Sequence, residues 1–346
     1  MTFLSSQPVE KHIINRLAQK GFKNVSFSST RKTVQKFEQN EFSQLIFQTL
    51  KTRPFFRVLM HLITQEKLPI TKDQILQLLE ENRDRLKKVL ENSPDRNLTC
   101  RSCSEVIRRY NVYNDDKPSG KMKCPKCNSP NELNQCKESD DWSFPGISVA
   151  SYLDCLVESR MLISKVMGNC NRCMRSDSFE QIPLKDLDPL SKQRLRNYVK
   201  KIYCKQCGNF YDLTEIYSLE EFMTPLWNRG GVWLEWYVKN IVREHFPNSP
   251  VEQGLVVRNG EVIEVDAMLL DAGRLVSFEC KALGIGKNAS FNEVSDALKP
   301  LDFSDEVLLV TTATLKENDK RILLKRGDGK LKVVEAHDIE NLVSFI

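Results

Sequence analysis

The spacing of hydrophobic residues divides this chain into a helical part and a strand-rich part. Before residue 95, apolar side chains recur every three or four positions, as at Val9, Ile13 and Leu17, which is the spacing of an amphipathic helix. The pattern predicts four helices, at about 9–17, 37–50, 55–63 and 71–91. We therefore predict a helical N-terminal domain at 1–95. It is either a winged-helix or helix-turn-helix unit or a plain bundle that docks on a partner protein.

The hydrophobic period changes to two near residue 250. The segment 251–282, VEQGLVVRNGEVIEVDAMLLDAGRLVSFECKA, predicts three consecutive antiparallel strands. Asn259-Gly260 is a strong hairpin signal, and the Asp-Ala-Gly sequence at 271–273 predicts a second tight turn.

The second turn sets the register of these strands. A two-residue loop at 272–273 places Asp266 opposite Glu279, because side chains alternate across a strand. One face is then apolar and holds Ile263, Val265, Ala267, Leu269, Val276, Phe278 and Cys280. The other face gathers Asp266, Glu279 and Lys281. A three-residue loop would instead set the two carboxylates against the apolar face, so we favour the shorter loop.

This trio has a chemical interpretation. Two carboxylates a few ångströms apart repel each other unless a cation lies between them, and oxygen ligands suit Mg²⁺ or Mn²⁺. Such an ion polarises a phosphodiester and activates water, and a lysine orients that water or neutralises developing charge. The alternative interpretation of Glu279 and Lys281 is an ordinary ion pair on a solvated strand face.

The spacing resembles a known superfamily. Asp266, twelve intervening residues and then Glu279-Cys280-Lys281 resemble the Asp…(Asp/Glu)-x-Lys motif of restriction-endonuclease-like nucleases. Three segments carry a closer resemblance: GVWLEWY at 231–237, EVD at 264–266 and FECK at 278–281. Together they look closest to the nuclease domain of CRISPR-associated effectors activated by cyclic oligoadenylate. The resemblance covers about 225–346 and implies a metal-dependent nuclease fold, with a helix before the meander and a helix and further strands after it. It also implies an extra acidic residue from the first helix, at Glu235. A helix-surface salt bridge with Lys239 is the alternative for that glutamate.

Eight of the eleven cysteines form Cys-x-x-Cys pairs. Two such pairs complete a tetrahedral Zn²⁺ shell, which is closed to substrate and therefore structural. Redox pairs, buried thiols and an iron–sulfur cluster are the alternatives. We predict two zinc ions, and the simplest pairing is sequential although the sequence leaves it open. The ligands are Cys100, Cys103, Cys124 and Cys127 for one ion, and Cys170, Cys173, Cys204 and Cys207 for the other.

The regions around the cysteines resemble tandem zinc ribbons. Arg108, Arg109 and Tyr110 in the first ribbon and a basic helix at 190–203 in the second could contact nucleic acid, or they could be solvated surface or a protein-docking face. Cys136 and Cys155 are expected to be buried small side chains. The predicted organisation is multidomain α+β, with the helical domain at 1–95, zinc ribbons at 96–140 and 141–225, and an α/β restriction-endonuclease-like domain at 226–346.

Composition narrows the function only slightly. The 346 residues are 40% hydrophobic and 28% charged, and a net charge of +5 permits nucleic-acid binding without requiring it. The sequence contains no apolar run of membrane-spanning length and no secretory signal, and its cysteine usage is typical of a reducing compartment. We therefore expect a cytoplasmic protein with no membrane partner.

The sequence thus predicts a metal-dependent nuclease whose zinc ribbons and helical region bind substrate or a partner. DNA is favoured over RNA by resemblance to the superfamily, as is a role in prokaryotic defence against foreign DNA. A homodimer would suit cleavage of both strands of a duplex. Two alternatives stay open: a ribonuclease that uses the same site, and a nucleic-acid-binding or assembly protein with a non-catalytic nuclease-like fold.

Overall fold

The computed structural model describes most of the helices and strands. Described are residues 7–52, 54–66, 68–82, 98–99, 102–103, 106–107, 121–123, 126–127, 129–132, 137–138, 153, 156–180, 203–209, 212–227, 231–285 and 287–346. Helices and mixed sheets share this part of the chain, which confirms the predicted α+β class.

The helices begin and end as follows: α1 Gln7–Gln19, α2 Ser29–Glu38, α3 Ser43–Thr52, α4 Pro54–Gln65, α5 Lys72–Glu81, α6 Thr224–Trp227, α7 Val232–His245, α8 Phe291–Val294 and α9 Glu317–Arg326. Short 3-10 helices cover Glu221–Met223, Ser295–Asp302 and Ile339–Phe345. None of the helices in the described ranges combines the length and the apolar character needed to cross a membrane.

The strands are β1 Asn24–Phe27, β2 Ile70–Thr71, β3 Leu98–Thr99, β4 Val106–Ile107, β5 Lys121–Lys123, β6 Pro130–Glu132, β7 Lys137–Glu138, β8 Leu162–Asn169, β9 Ser176–Glu180, β10 Asp212–Leu219, β11 Val251–Asn259, β12 Glu261–Asp271, β13 Arg274–Lys281, β14 Asn288–Ala289, β15 Glu306–Thr311, β16 Thr314–Leu315 and β17 Leu331–Val334.

Contacts divide the chain into two compact units. The first comprises Met1–Val58, Asp84–Trp142 and Pro225–Ile346, and the second comprises Leu59–Arg83 and Ser143–Thr224. Both units are therefore assembled from segments distant in the chain. The four domains expected from the sequence, with their bounds, stay predictions.

A six-stranded sheet with the order β1-β11-β12-β13-β15-β17 organises the first unit. Strands β11, β12 and β13 form the predicted antiparallel meander, and β13, β15 and β17 are parallel to one another. Asp271 pairs with Arg274 across Ala272 and Gly273, whose φ angles are 47° and 82°. Two consecutive positive φ angles are typical of the tight turn that matches strand twist, so the predicted two-residue loop is confirmed.

Helices cover this sheet. Ile13 and Leu17 of α1 pack against Leu255 and Val265, whereas a second cluster joins α8 and α9 to β15 and β17. Helix α7 contacts all three strands of the meander and buries Trp233, Trp236 and Tyr237, among other side chains. The helix–meander–helix–strand order predicted for the C-terminal region is present.

Strand β1 is a feature that the sequence analysis missed. The region was predicted to be helical, but β1 pairs antiparallel with β11, from Asn24 opposite Arg258 to Phe27 opposite Leu255. The guanidinium of Arg31 in α2 lies 3.5 Å from the ring centre of Phe27 and forms ion pairs with Glu10 and Glu252. The N-terminal segment therefore belongs to the same sheet as the meander.

The predicted helix at 37–50 is also corrected. Helix α2 ends at Glu38 and α3 begins at Ser43, because a turn intervenes in which the Asn40 side chain accepts a hydrogen bond from the Phe42 N–H at 2.9 Å. An Asn side chain that bonds the backbone two residues on favours a turn over a continuous helix.

The second unit contains a four-stranded sheet with the order β2-β10-β8-β9. Thr71 caps helix α5: its hydroxyl accepts from the Gln74 N–H at 3.2 Å, and the Gln74 side chain accepts from the Thr71 N–H at 2.9 Å. This reciprocal arrangement is a capping box, and it confirms the helix start predicted at Thr71. The long strands β8 and β10 pair from Asn169 opposite Asp212 to Leu162 opposite Leu219.

Candidate active site and metal centre

Asp266 and Glu279 lie at the same end of neighbouring strands. The ladder between β12 and β13 ends at the pair Ala267–Phe278, one position before them. There the Asp266 carboxylate accepts a hydrogen bond from the backbone N–H of Cys280 at 2.6 Å. Strand β13 continues to Lys281, held on its other side by β15. A side chain of β12 thus takes the place of the next backbone bond and is fixed beside the Glu-Cys-Lys sequence.

Glu279 and Lys281 contact each other directly. The Lys281 ammonium lies 2.7 Å from a Glu279 carboxylate oxygen, and Glu279 is only 5% exposed. Asp296, in the 3-10 helix after α8, lies 3.9 Å from the same ammonium and 2.6 Å from that of Lys299. The carboxylate of Glu279 is therefore buried with one direct cationic partner among the described residues.

Glu235 reaches the site from the first turn of α7. It accepts a hydrogen bond from the amide of Gln253 at 3.3 Å, and Gln253 is 2% exposed in β11. The alternative partner Lys239 instead lies 2.6 Å from Glu38 of α2. The alternative interpretation of Glu235, a helix-surface salt bridge with Lys239, is therefore absent from the described contacts.

Burial raises the pKa of all three acidic side chains, and neighbouring carboxylates add to the shifts of Asp266 and Glu235. Burial, with the charges of Glu279 and Glu235, raises the pKa of Asp266 well above its usual value. Burial also raises the pKa of Glu279, although Lys281 opposes the shift. Burial and the charges of Glu264 and Glu279 raise the pKa of Glu235 to about 7, against the hydrogen bond from Gln253. Negative charge is thus concentrated here beyond what one lysine neutralises.

The acidic neighbours stabilise the charged form of the lysine. Burial lowers the pKa of Lys281, but the charges of Glu279 and Asp266 outweigh it, so the net shift is upward. Lys281 therefore stays protonated at neutral pH and acts as a fixed positive charge.

The chemistry of these side chains fits a hard divalent cation. The available donors are carboxylate oxygens, and the buried Gln253 Oε1 has no hydrogen-bond partner among the described residues. The carboxylates are not drawn into one tight shell. In the described part of the chain, only a set of cysteines brings three or more ligand atoms within 4.8 Å of one another. A cation here would have to draw the carboxylates closer together.

The structure brings together the residues expected at the site. The charges of Glu235, Glu279 and Lys281 all shift the pKa of Asp266, and the charge of the exposed Glu264 shifts the pKa of Glu235. Their catalytic and metal-binding roles stay predictions. Sequence reasoning missed Gln253, although a glutamine within an otherwise apolar central strand is a usable signal because buried amides need partners.

Four cysteines of the second unit converge on one point. The Sγ atoms of Cys170 and Cys207 are 3.3 Å apart, and those of Cys173 and Cys204 are 3.4 Å apart. Tetrahedral zinc with bonds of about 2.3 Å separates its sulfurs by about 3.8 Å, so small movements would complete the shell. This set could hold a metal ion such as zinc. The third and fourth Cys-x-x-Cys pairs of the chain thus lie together, as the sequential pairing predicted.

The cysteine pKa values indicate why this cluster needs a cation. The backbone N–H of Cys173 lowers the pKa of the Cys170 thiol. The backbone N–H of Arg175 also favours the Cys173 thiolate, but burial and the neighbouring sulfurs raise the pKa of Cys173 to about 12. Four thiolates therefore cannot form together without a positive ion among them.

The first predicted zinc site falls largely outside the described residues. Cys103 and Cys127 are described, whereas Cys100 and Cys124 are not. Also outside are Arg108, Arg109, Tyr110, Cys136, Cys155 and the basic segment 190–202. The first site and these contacts stay predictions. Cys280 is buried in the sheet, as expected for a core position.

Two solved structures are similar over part of this chain. Can2 from Sulfobacillus thermosulfidooxidans, solved in complex with cyclic tetra-adenylate (cA4), is 14% identical and covers 46% of this chain and 45% of its own, with a TM-score of 0.31. Protein VC1899 from Vibrio cholerae is 17% identical and covers 58% of this chain and 50% of its own, also with a TM-score of 0.31.

This chain therefore spans about half the length of the solved chains it matches. No family model matches the sequence, and no curated protein matches it. At this level of similarity the solved structures support no conclusion about function. The functional argument rests on the geometry of the site.

Proposed function

We propose that this protein is a metal-dependent nuclease that hydrolyses phosphodiester bonds in DNA. One observation carries the proposal: Asp266, Glu279 and Lys281 meet at adjacent strand ends, where burial raises the pKa of both carboxylates beside a single ammonium and the charge of Glu279 raises that of Asp266 further. Buried like charges of this kind are destabilising, and a bound divalent cation explains why they stand together.

The proposed roles follow from position and charge. Asp266 and Glu279 hold Mg²⁺ or Mn²⁺, and Glu235 completes or buffers the acidic cluster. When bound, the ion supplies Lewis-acid stabilisation of the phosphodiester and lowers the pKa of water. Lys281, kept protonated by its acidic neighbours, orients the attacking water or balances charge that develops on the phosphate.

In this proposal the cysteine clusters have a structural role and take no part in catalysis. A Zn²⁺ ion with four thiolate ligands has no open position for substrate, so Cys170, Cys173, Cys204 and Cys207 would stabilise the fold of the second unit. We expect a second zinc on Cys100, Cys103, Cys124 and Cys127. Prokaryotic defence against foreign DNA is the setting that the motif resemblance suggests, and a twofold dimer would present two sites to a duplex.

A cleavage assay on three substrates tests the proposal. Wild-type protein and Lys281→Ala are incubated with supercoiled plasmid, single-stranded DNA and RNA, each with Mn²⁺ or without an added divalent ion. We expect Mn²⁺-dependent cleavage of DNA by the wild type and a loss of at least about a hundredfold in the variant, because one preorganised charge-stabilising group is removed.

Each other outcome identifies an alternative. Cleavage of RNA alone would favour a ribonuclease that uses the same residues. No cleavage of any of the three substrates would favour a nucleic-acid-binding or assembly protein built on a nuclease-like fold. Equal cleavage by Lys281→Ala would remove this lysine from the site. Thermal melting of both proteins serves as the control for folding.

A further inference from the structure

The two cysteine knuckles of the second unit have the same backbone but different side chains at one position. In each knuckle the residue after the second cysteine donates its N–H to the carbonyl of the first cysteine at 2.8 Å: Met174 to Cys170, and Gly208 to Cys204. Both residues adopt positive φ angles, 59° for Met174 and 70° for Gly208. The knuckle turn therefore requires the left-handed conformation.

Glycine is the residue that this conformation favours. A long side chain with positive φ is sterically disfavoured, since the β-carbon crowds the backbone carbonyl. The second knuckle uses Gly208, whereas the first places a methionine there. Met174 is also 84% exposed, so its side chain gains little from packing within the fold. Neither backbone preference nor packing within the described residues accounts for a methionine at this position.

A second large side chain is exposed on the partner knuckle. Tyr203, directly before Cys204, is 56% exposed. Because the Cys204 and Cys173 sulfurs are 3.4 Å apart, the residues next to them lie around the same metal centre. A flexible thioether and an aromatic ring are thus exposed on two loops around one cysteine cluster.

The charged residues of the two knuckle segments are all cationic. The exposed Arg172, Arg175 and Lys205 belong to the two knuckles, and segments 170–175 and 203–209 contain no carboxylate. Zinc with four thiolates carries a formal charge of −2, which two of these cations would balance. The knuckle surface, defined as Arg172, Met174, Arg175, Tyr203 and Lys205, therefore stays positive.

We propose that the knuckle surface binds single-stranded nucleic acid, with an unpaired base against Tyr203 and Met174 and the phosphates beside the arginines and the lysine. An aromatic face with surrounding cations suits unpaired bases of any sequence, because every base has a π-face, whereas stacked bases in a duplex are inaccessible. The inference rests on the proposed function, since it specifies which form of nucleic acid this protein engages outside the acidic site.

Binding is best measured where cleavage cannot interfere. In a Lys281→Ala background without added divalent ions, fluorescence anisotropy reports the affinity for labelled single-stranded DNA, single-stranded RNA and duplex DNA. Met174→Gly copies the second knuckle and relieves backbone strain, so it should fold at least as well. Tyr203→Ser removes the ring. Val262→Ser, at an exposed apolar position of the β11–β12 hairpin, is the matched control.

We expect single strands to bind more tightly than the duplex, and the DNA and RNA arms to show which sugar is preferred. Met174→Gly and Tyr203→Ser should each weaken single-strand binding by about tenfold, whereas Val262→Ser should leave it unchanged. Zinc content and melting temperature should stay at the parent level. Unchanged single-strand affinity in both knuckle variants would overturn the proposal and leave a protein as the partner of this surface.

Two results separate this inference from the nuclease proposal. Weakened binding by the knuckle variants, with no cleavage of any substrate by the wild type, would support the knuckle surface and reject the nuclease. Normal cleavage by the wild type, with unchanged binding by the knuckle variants, would do the reverse. Tighter binding of the duplex than of single strands would also overturn the inference.

Discussion

The acidic site and the cysteine site are both suited to a metal, yet they are built in opposite ways. The cysteine site takes its four ligands from two short loops and brings their sulfurs within 4.8 Å of one another. The acidic site takes its groups from helix α7 and strands β11, β12 and β13, and its carboxylates do not reach that proximity. The cysteine ligands come from two short loops and lie close together, whereas the acidic groups come from four elements and are more widely spaced.

The difference corresponds to the two roles proposed. A structural ion is best held by a complete shell, since an open position adds nothing to stability. A catalytic ion needs free positions for water and phosphate, so a looser set of oxygens is appropriate. The acidic site is also where the fold tolerates unfavourable burial of charge, as the raised pKa values of Asp266, Glu279 and Glu235 indicate. Functional sites often carry such destabilisation.

The largest predicted effect concerns the cysteine site. Cys204→Ser should abolish one of the two expected zinc ions per chain and unfold the segments around it, because apparent binding free energies of structural zinc reach about 10 kcal/mol. Zinc analysis and limited proteolysis of residues 156–219 measure the outcome. Cys280→Ala, a buried cysteine outside the cluster, should leave the zinc content unchanged. An unchanged zinc content in Cys204→Ser would contradict the view that these four cysteines form a structural metal site.

The next effect concerns the acidic site. Asp266→Asn keeps the size of the side chain and its hydrogen bond from the Cys280 N–H, but it removes the charge. We expect Mn²⁺-dependent cleavage to fall by about a thousandfold, equivalent to ~4 kcal/mol of transition-state stabilisation, with zinc content unchanged. Cleavage rates and calorimetric titration with Mn²⁺ test this.

Asp271→Asn, at the other end of the same strand, is the matched control and should cleave at the parent rate. A variant Asp266→Asn that still cleaves normally would show that the distributed carboxylates are not a catalytic site.

A smaller effect follows from the pKa of Glu235. Burial raises it from an ordinary value near 4.5 to about 7, so between these pH values the folded state holds a proton that the unfolded state has released. Stability should therefore fall as pH rises from 4.5 to 7. Glu235→Gln, which cannot ionise, should be more stable than the wild type above pH 7 by ~3 kcal/mol and equal to it below pH 4.5.

Urea unfolding across this pH range without added divalent ions measures the difference. Glu261→Gln, an exposed glutamate on the same strand as Asp266, should stay within ~0.5 kcal/mol of the wild type at every pH. A Glu235→Gln variant that is less stable than the wild type at pH 8 would contradict the view that this carboxylate is destabilising. Addition of Mn²⁺ should narrow the gap, since a cation relieves the repulsion.

The two sites also differ in how far the sequence predicts them. The cysteine spacing indicates a metal centre directly, because the ligands of each knuckle lie three residues apart. The acidic site could be predicted through the turn at Ala272-Gly273, whose length determines the register and hence the face that Asp266 and Glu279 occupy. Alternation and turn length are local properties, and they sufficed for strands β11 to β13, whereas the helix α7 before them was expected from the motif resemblance.

What the sequence did not reveal depends on contacts between distant segments. Strand β1 has four residues and too little periodicity to distinguish it from a loop, and only its pairing with β11 makes it a strand. The partner of Lys239 could not be read from α7, because Glu38 lies two hundred residues earlier in the chain. The role of Gln253 likewise could not be predicted from β11 alone, because its partner Glu235 lies on helix α7.

The smallest predicted effect tests whether the acidic site depends on the N-terminal segment. Gly254 in β11 has a φ of +63°, and a β-carbon there would lie 2.6 Å from the Ser28 hydroxyl and 3.3 Å from the Arg31 backbone nitrogen. Gly260, in the next turn, has a φ of +80° but open space around its β-carbon position. Gly254→Ala therefore adds a clash to the backbone strain, whereas Gly260→Ala adds the strain alone, about 1 kcal/mol.

We expect Gly254→Ala to be less stable than Gly260→Ala by ~1 kcal/mol in urea unfolding, because the segment around Ser28 must shift away from β11. Position 254 lies between Gln253 and Leu255, which face Ala267 and Val265, so the shift occurs across the sheet from Asp266. Cleavage should therefore fall in Gly254→Ala and persist in Gly260→Ala, with zinc content equal in both. Equal stability and equal cleavage in the two variants would mean that the N-terminal segment does not support the acidic site.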